Sequence, residues 1–175
     1  MNRRLLALLC LVSGLNASGL AQDVARGVVF FDRNENGRRD TGEPGINGVR
    51  VSNQKEVVET DAEGRWELPC GEDTTFFVVK PRGWMTPVNH HNLPRFFYTH
   101  KPAGSPPVKF GGVPPTGPLP ESIDFPLRRQ EEPKTFKALF FGDTQPRNVK
   151  EVEYIAHDVV EELIGTDARF GVTLG

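Results

Sequence analysis

Short runs of β-branched and aromatic residues, broken repeatedly by Gly, Pro, Asn and Asp, occupy residues 24–127 and predict strands rather than helices. VARGVVFF (24–31) is the first. GVRVS and EVVET alternate apolar with polar positions about Asn53 and Gln54 and read as a hairpin. TDAEGRWELP repeats the scheme, with a turn from Asp61 to Gly64 and a strand that buries Trp66 and Leu68. TFFVVKP is another strand, ended by Pro81 because proline has no N–H for a ladder. SIDFPL alternates cleanly and supplies the last. The pattern predicts a mainly β chain whose first domain, 22–127, is a small antiparallel sandwich of two sheets.

The regularity fails between 83 and 120, where Pro and Gly are dense. Phe96, Phe97, Tyr98 and Phe110 are too many aromatics for a disordered linker, so an ordered flap against the sandwich is expected. RRQEEP is charged, lacks apolar residues and ends in proline, which makes 128–136 a linker. The period then changes. Residues 137–141 form an apolar strand, and Val152, Ile155, Ala156, Val159, Val160 and Leu163 share one helical face. Asn148 with Glu151 three residues on forms an N-terminal cap, Gly165 ends the helix, and RFGVTLG is the next strand. Strand, helix, strand is one βαβ unit. A parallel sheet needs several neighbours and two covered faces, so 137–175 reads as the incomplete start of a catalytic domain, with more chain expected after Gly175.

Met1 to Ala21 has a positive start, an apolar stretch and small residues at Gly19 and Ala21, the pattern of a secretory signal cleaved before Gln22. An exported protein, periplasmic or secreted, is expected. No stretch has the ~18–20 apolar residues of a membrane span, and Leu8 and Leu9 before Cys10 do not suit lipid attachment. The remainder keeps one cysteine, Cys70, which excludes an internal disulfide and reads as a bystander. A net charge of −2 leaves no basic footprint for nucleic acid. His157 falls on the polar side of the helix, and adjacent His90 and His91 are expected to point apart in extended chain. Oligomeric state is not legible.

Two segments carry chemistry. In DRNENGRRDTGE, oxygen side chains fall at positions one, three, five, nine and twelve (Asp32, Asn34, Asn36, Asp40, Glu43), with Gly37 at six and the Arg38 carbonyl at seven. This is the spacing of a twelve-residue calcium loop, with three carboxylates against a dication; the plain alternative is a polar turn. A strand precedes the loop where an EF-hand has a helix, so a structural calcium ion on a β scaffold is expected. GVVFFDRNENGRRDTGEPGINGVRVS resembles the B-type repeats of bacterial surface adhesins, and TDAEGRWEL resembles the matching hairpin of carboxypeptidase-regulatory-like domains. Both resemblances imply an Ig-like or transthyretin-like sandwich, and the former implies calcium.

The second segment is FFGDTQP, which puts Asp143 at the carboxyl end of a parallel strand, where open α/β sheets place their chemistry. Followed by a helix and RFGVTLG, it resembles the start of calcineurin-like metallophosphoesterases, and with the preceding domain the whole chain resembles exported members of that family. The resemblance implies hydrolysis of small phosphate esters by a pair of divalent metals. Asp143 matches the first ligand, and Gly175 the glycine before a bridging Asp. Gln145 stands where the family has His, so the site favours the harder ions manganese, iron or magnesium over zinc. The fragment alone is expected to be inactive. The rival reading is a noncatalytic, calcium-stabilised module that binds a cell-surface partner or glycan.

Overall fold

The computed structural model describes residues 23–107 and 109–175; the expected signal, 1–21, lies outside them. Among the described residues no helix is long and apolar enough to cross a membrane. The chain divides into two compact units, Met1–Arg129 and Gln130–Gly175.

Among the described residues the first unit holds eight strands: β1 (Asp23–Phe31), β2 (Arg50–Ser52), β3 (Val57–Glu59), β4 (Arg65–Cys70), β5 (Thr74–Val79), β6 (Trp84–Met85), β7 (Phe97–His100) and β8 (Phe125–Arg129). They form two four-stranded sheets in the orders β4-β1-β8-β6 and β3-β2-β5-β7. One core joins the inward faces of both, with Val29, Val51, Leu68, Phe76 and Leu127 almost without solvent contact. Trp66 lies in this core between Phe76 and Phe125, at ring distances of 5.6 and 5.9 Å.

Three features depart from the sequence expectation. The sheets are not wholly antiparallel: β1 and β8 run parallel, with Val29 opposite Phe125 and Phe31 opposite Leu127. The turn from Asp61 to Gly64 forms, closed by Gly64 N–H donating to the Asp61 carbonyl, yet β3 and β4 on either side of it join different sheets. The β2–β3 hairpin turns through Asn53 to Glu56, four residues rather than two. The Asn53 side chain fills that turn, its Oδ1 accepting from the Lys55 and Glu56 N–H groups.

The linker also starts later than its charge suggests. Arg128 and Arg129 belong to β8 and pair with β6. Long cationic side chains tolerate an edge position when their stems and charges find partners. Arg129 sits over the Trp84 ring at 3.9 Å, and Arg128 pairs with Glu35. The 83–120 segment contributes β6 and β7, and Phe96, Tyr98 and Leu119 pack on the core.

Gly27 is where β1 needs the absence of a side chain, since a Cβ there would overlap the Ile123 carbonyl. The neighbouring Ile123 N–H donates to the Arg26 carbonyl at 2.8 Å.

The second unit contains β9 (Ala138–Phe141), helix α1 (Val149–Ile155) and β10 (Phe170–Thr173). The helix continues through a wider turn at Ala156–Val160 and a tighter one at Glu161–Leu163. β9 and β10 pair in parallel, with Ala138 opposite Phe170 and Phe141 opposite Thr173. The cap forms as the sequence suggests: Asn148 Oδ1 accepts from the Glu151 N–H at 3.1 Å, and Glu151 Oε2 accepts from the Arg147 N–H at 2.7 Å. The apolar helix face is only partly covered. Ile155, Ala156 and Leu163 are half-buried, while Val152 and Val160 remain about half exposed.

Candidate functional site

β1 delivers Asp32 directly into the 32–43 loop, and the Asp32 N–H donates to the Leu127 carbonyl of β8 at 2.9 Å. The chain then closes on its own side chains. Asp32 accepts from the Asn36 N–H at 3.2 Å and from the Gly37 N–H at 2.8 Å. Glu43 accepts from the Arg33 N–H at 2.8 Å and the Asp40 N–H at 3.0 Å. Gly37 takes φ +75°, the left-handed conformation that the sixth position requires.

Asp32 and Glu43 are both buried, and the hydrogen bonds they receive come from backbone N–H groups rather than cationic side chains. Buried carboxylates are normally paired or bound to metal. Asp40 is exposed, and the Asn34 and Asn36 side-chain amides donate to its Oδ2 at 2.8 and 2.7 Å. Those two bonds, with the Arg38 charge behind them, hold its carboxyl below the usual carboxylate range. Asn36 Oδ1 accepts from the Arg38 N–H at 2.7 Å.

The six sequence-predicted positions therefore form one hydrogen-bonded loop. They do not bring three charged ligands to a point: among the described residues no three His, Cys, Asp or Glu side chains converge as a metal group. An ion here would need the Asn34 and Asn36 oxygens and the Arg38 carbonyl as well as the carboxylates, which is the mixed oxygen set that calcium accepts.

The second candidate lies at the carboxyl end of the β9–β10 pair. Asp143 Oδ1 accepts from the Gln145 N–H at 3.2 Å, so both residues share one turn. The turn is tied to the end of β10 by the Thr144 and Thr173 hydroxyls, 2.7 Å apart, and by the Leu174 N–H donating to Phe141. Gly175 then lies against Asp143. A Cβ at Gly175 would stand 3.3 Å from Asp143 Cα and 3.4 Å from its Cγ. The sequence placed Asp143 and Gln145 on one loop; the contact with Gly175 depends on parallel register, which no local pattern encodes. Asp143 and Gln145 are exposed and supply two oxygen-bearing side chains, too few to hold a metal pair by themselves.

The histidines need one correction. The His90 and His91 rings do not diverge but sit 3.7 Å apart, because Asn89 caps a tight turn there with its Oδ1 accepting from the His91 and Leu93 N–H groups. His157 Nδ1 lies 2.6 Å from Glu161 Oε1, one helical turn on. His100 is buried, and among the described residues its Nδ1 has no hydrogen-bond partner. Cys70 is free and buried, and burial, aided by the Asp23 charge, pushes its thiol up, away from nucleophilic use.

A comparison with protein-family models matches residues 33–111 to the N terminal of calcineurin-like phosphoesterase. The matched segment is just under half of the chain, includes most of the 32–43 loop and ends before Asp143. It supports that phosphoesterase family, whose members generally use divalent metals. No curated protein matches the sequence.

Proposed function

We propose that the chain belongs to an exported, metal-dependent phosphoesterase of the calcineurin-like family, with a two-sheet domain ahead of its catalytic residues. The observation that carries this reading is the family match over 33–111. The strand-end arrangement supports it, since Asp143, Gln145 and Gly175 meet where an open parallel sheet places its chemistry. In this reading Asp143 and Gln145 hold one divalent ion. A metal pair held there would supply positive charge for the phosphoryl oxygens and lower the pKa of a bound water, so that hydroxide is available to attack phosphorus at neutral pH. The chain's own residues orient. The Asx-type turn fixes Asp143 relative to Gln145, and the Thr144–Thr173 contact holds that turn against β10. The neutral Gln145 oxygen suits manganese, iron or magnesium better than zinc. Substrates are small phosphate esters.

The 32–43 loop, in the same reading, takes a structural calcium ion. Its buried Asp32 and Glu43 support this, because among the described residues both carboxylates are held by backbone N–H groups and by no cationic side chain. Export rests on the composition of residues 1–21.

The test is release of nitrophenol from mono- and bis-nitrophenyl phosphate, with manganese, magnesium, iron and zinc in turn, by the full-length protein and by this 175-residue chain. The full-length protein is expected to be active and the 175-residue chain inactive. Asp143→Ala in the full-length protein should remove most activity, and Gln145→His should shift metal preference toward zinc. Full activity in Asp143→Ala, or chelator-resistant activity of the 175-residue chain, defeats the assignment.

A further inference from the structure

A sizeable cleft of the first unit lies beside the 32–43 loop, away from Asp143 in sequence and in a different unit. Its volume is about 570 Å³, within the ~300–1,000 Å³ typical of small-molecule sites. One wall is Glu35, Asn36 and Gly37 of the loop; the others come from 87–98 and 120–126. The walls are held by defined bonds. Arg95 N–H donates to the Pro87 carbonyl at 2.7 Å, and Val88 bridges to Pro94.

The cleft presents three different chemistries. Phe97 is an edge-strand aromatic left 56% exposed, with its ring braced edge-on by Phe96 at 5.4 Å. Asp124 uses Oδ1 to accept from the Val28 N–H and the Ser122 hydroxyl, at 2.9 and 2.6 Å, and no bond among the described residues occupies Oδ2. Arg95 is exposed, and among the described residues its guanidinium has no acidic partner. Glu35, the other acid on the wall, is already paired with Arg128.

An aromatic face, a vacant carboxylate oxygen and an unpaired guanidinium together suit one kind of ligand. The C–H face of a pyranose ring carries partial positive charge and packs on the negative face of an aromatic ring. Ring hydroxyls donate to a carboxylate. A sugar carboxylate meets guanidinium in a bidentate pair that lysine does not reproduce. We infer that this cleft binds an acidic carbohydrate, a uronic-acid oligosaccharide, through Phe97, Asp124 and Arg95. The site goes beyond the phosphoesterase reading and does not depend on it.

The experiment is titration calorimetry of the 175-residue chain with tetragalacturonate, with neutral maltotetraose and with tetra-aspartate. Tetragalacturonate should bind, and Arg95→Ala should weaken it at least about tenfold, the scale of one lost charge-assisted bond. Arg95→Lys should recover only part of the loss, and Phe97→Ala should weaken binding while leaving its salt dependence unchanged. Both residues are exposed, so the variants should keep the wild-type melting temperature. Absence of tetragalacturonate binding, equal affinity in Arg95→Ala, or equally tight binding of maltotetraose or tetra-aspartate would each overturn the proposal.

Discussion

Replacing Glu43 with Ala separates two roles of the last carboxylate in the 32–43 loop. Glu43 is 8% exposed and accepts two backbone N–H bonds, from Arg33 at 2.8 Å and from Asp40 at 3.0 Å. A hydrogen bond to a charged group contributes about 1.5–3 kcal/mol, so the gross loss is about 3–6 kcal/mol. Arg33 and Asp40 are exposed, and water regains their N–H groups in the variant. A net loss of about 2–3 kcal/mol remains. For a folded unit of roughly a hundred residues this lowers the melting temperature by about 10–20 °C.

Bound calcium adds a separate increment, about 2.7 kcal/mol at a hundredfold excess over Kd. Calorimetric scans of wild type and Glu43→Ala, with chelator and with calcium, resolve the two. In chelator the variant should melt well below wild type; with calcium the wild type should rise and the variant should not. Glu43→Gln keeps one acceptor and should fall between them. If the two proteins melt within about 2 °C of each other in chelator, the hydrogen-bond accounting is wrong. A wild-type scan indifferent to calcium refutes the ion.

Gly27→Ala forces a Cβ into the Ile123 carbonyl on a strand with neighbours on both sides, and should cost about 2–3 kcal/mol in urea unfolding; a loss below ~0.5 kcal/mol would mean that β1 and the 123 segment separate easily. Asp61 has its carboxyl held low by the Arg65 backbone and side chain. A depressed folded value means stability that is present above the unfolded carboxylate range and lost as pH falls through the folded one. The stability gap between wild type and Asp61→Asn should therefore close below about pH 4, and a gap constant from pH 7 to 3 would contradict this. Trypsin should cut first after Lys134, since Arg128 and Arg129 are paired in β8; early cleavage after either arginine would show that the strand end frays.

What the sequence made legible was local. The spacing from Asp32 to Glu43 returned as a loop closed on its own carboxylates because the N–H groups that Asp32 and Glu43 accept from lie within about ten residues, and the Asn148–Glu151 cap formed for the same reason. Most strands were visible as short apolar or alternating runs, but β6 and β7 were not, since they lie in the Pro- and Gly-rich 83–120 stretch. Strand partners were not. A strand's side-chain period says which face is buried and nothing about which neighbour it takes, so the parallel β1–β8 pairing and the departure of β4 to the other sheet were hidden. Arg128 and Arg129 look like linker because charge is the only local signal they give; Trp84 and Glu35, which hold them, are more than forty residues away. The cleft beside the loop was invisible for the same reason, as its walls come from three separated segments.

The parallel pairing of β1 with β8 has a mechanical consequence. Among the described residues β1 is the first strand of the first unit and β8 the last, and because they run the same way residue 23 lies toward one end of the pair and residue 129 toward the other. Tension applied through residues 23 and 129 then pulls the two strands past each other along their length. The bonds between them are loaded together, as in a lap joint, instead of being opened one at a time like a zip. A module wired in this way resists stretching between its two attachment points better than its few paired residues suggest. Single-molecule pulling through positions 23 and 129 should require more force than pulling through 57 and 129, and equal forces would show that the β1–β8 seam does not bear the load.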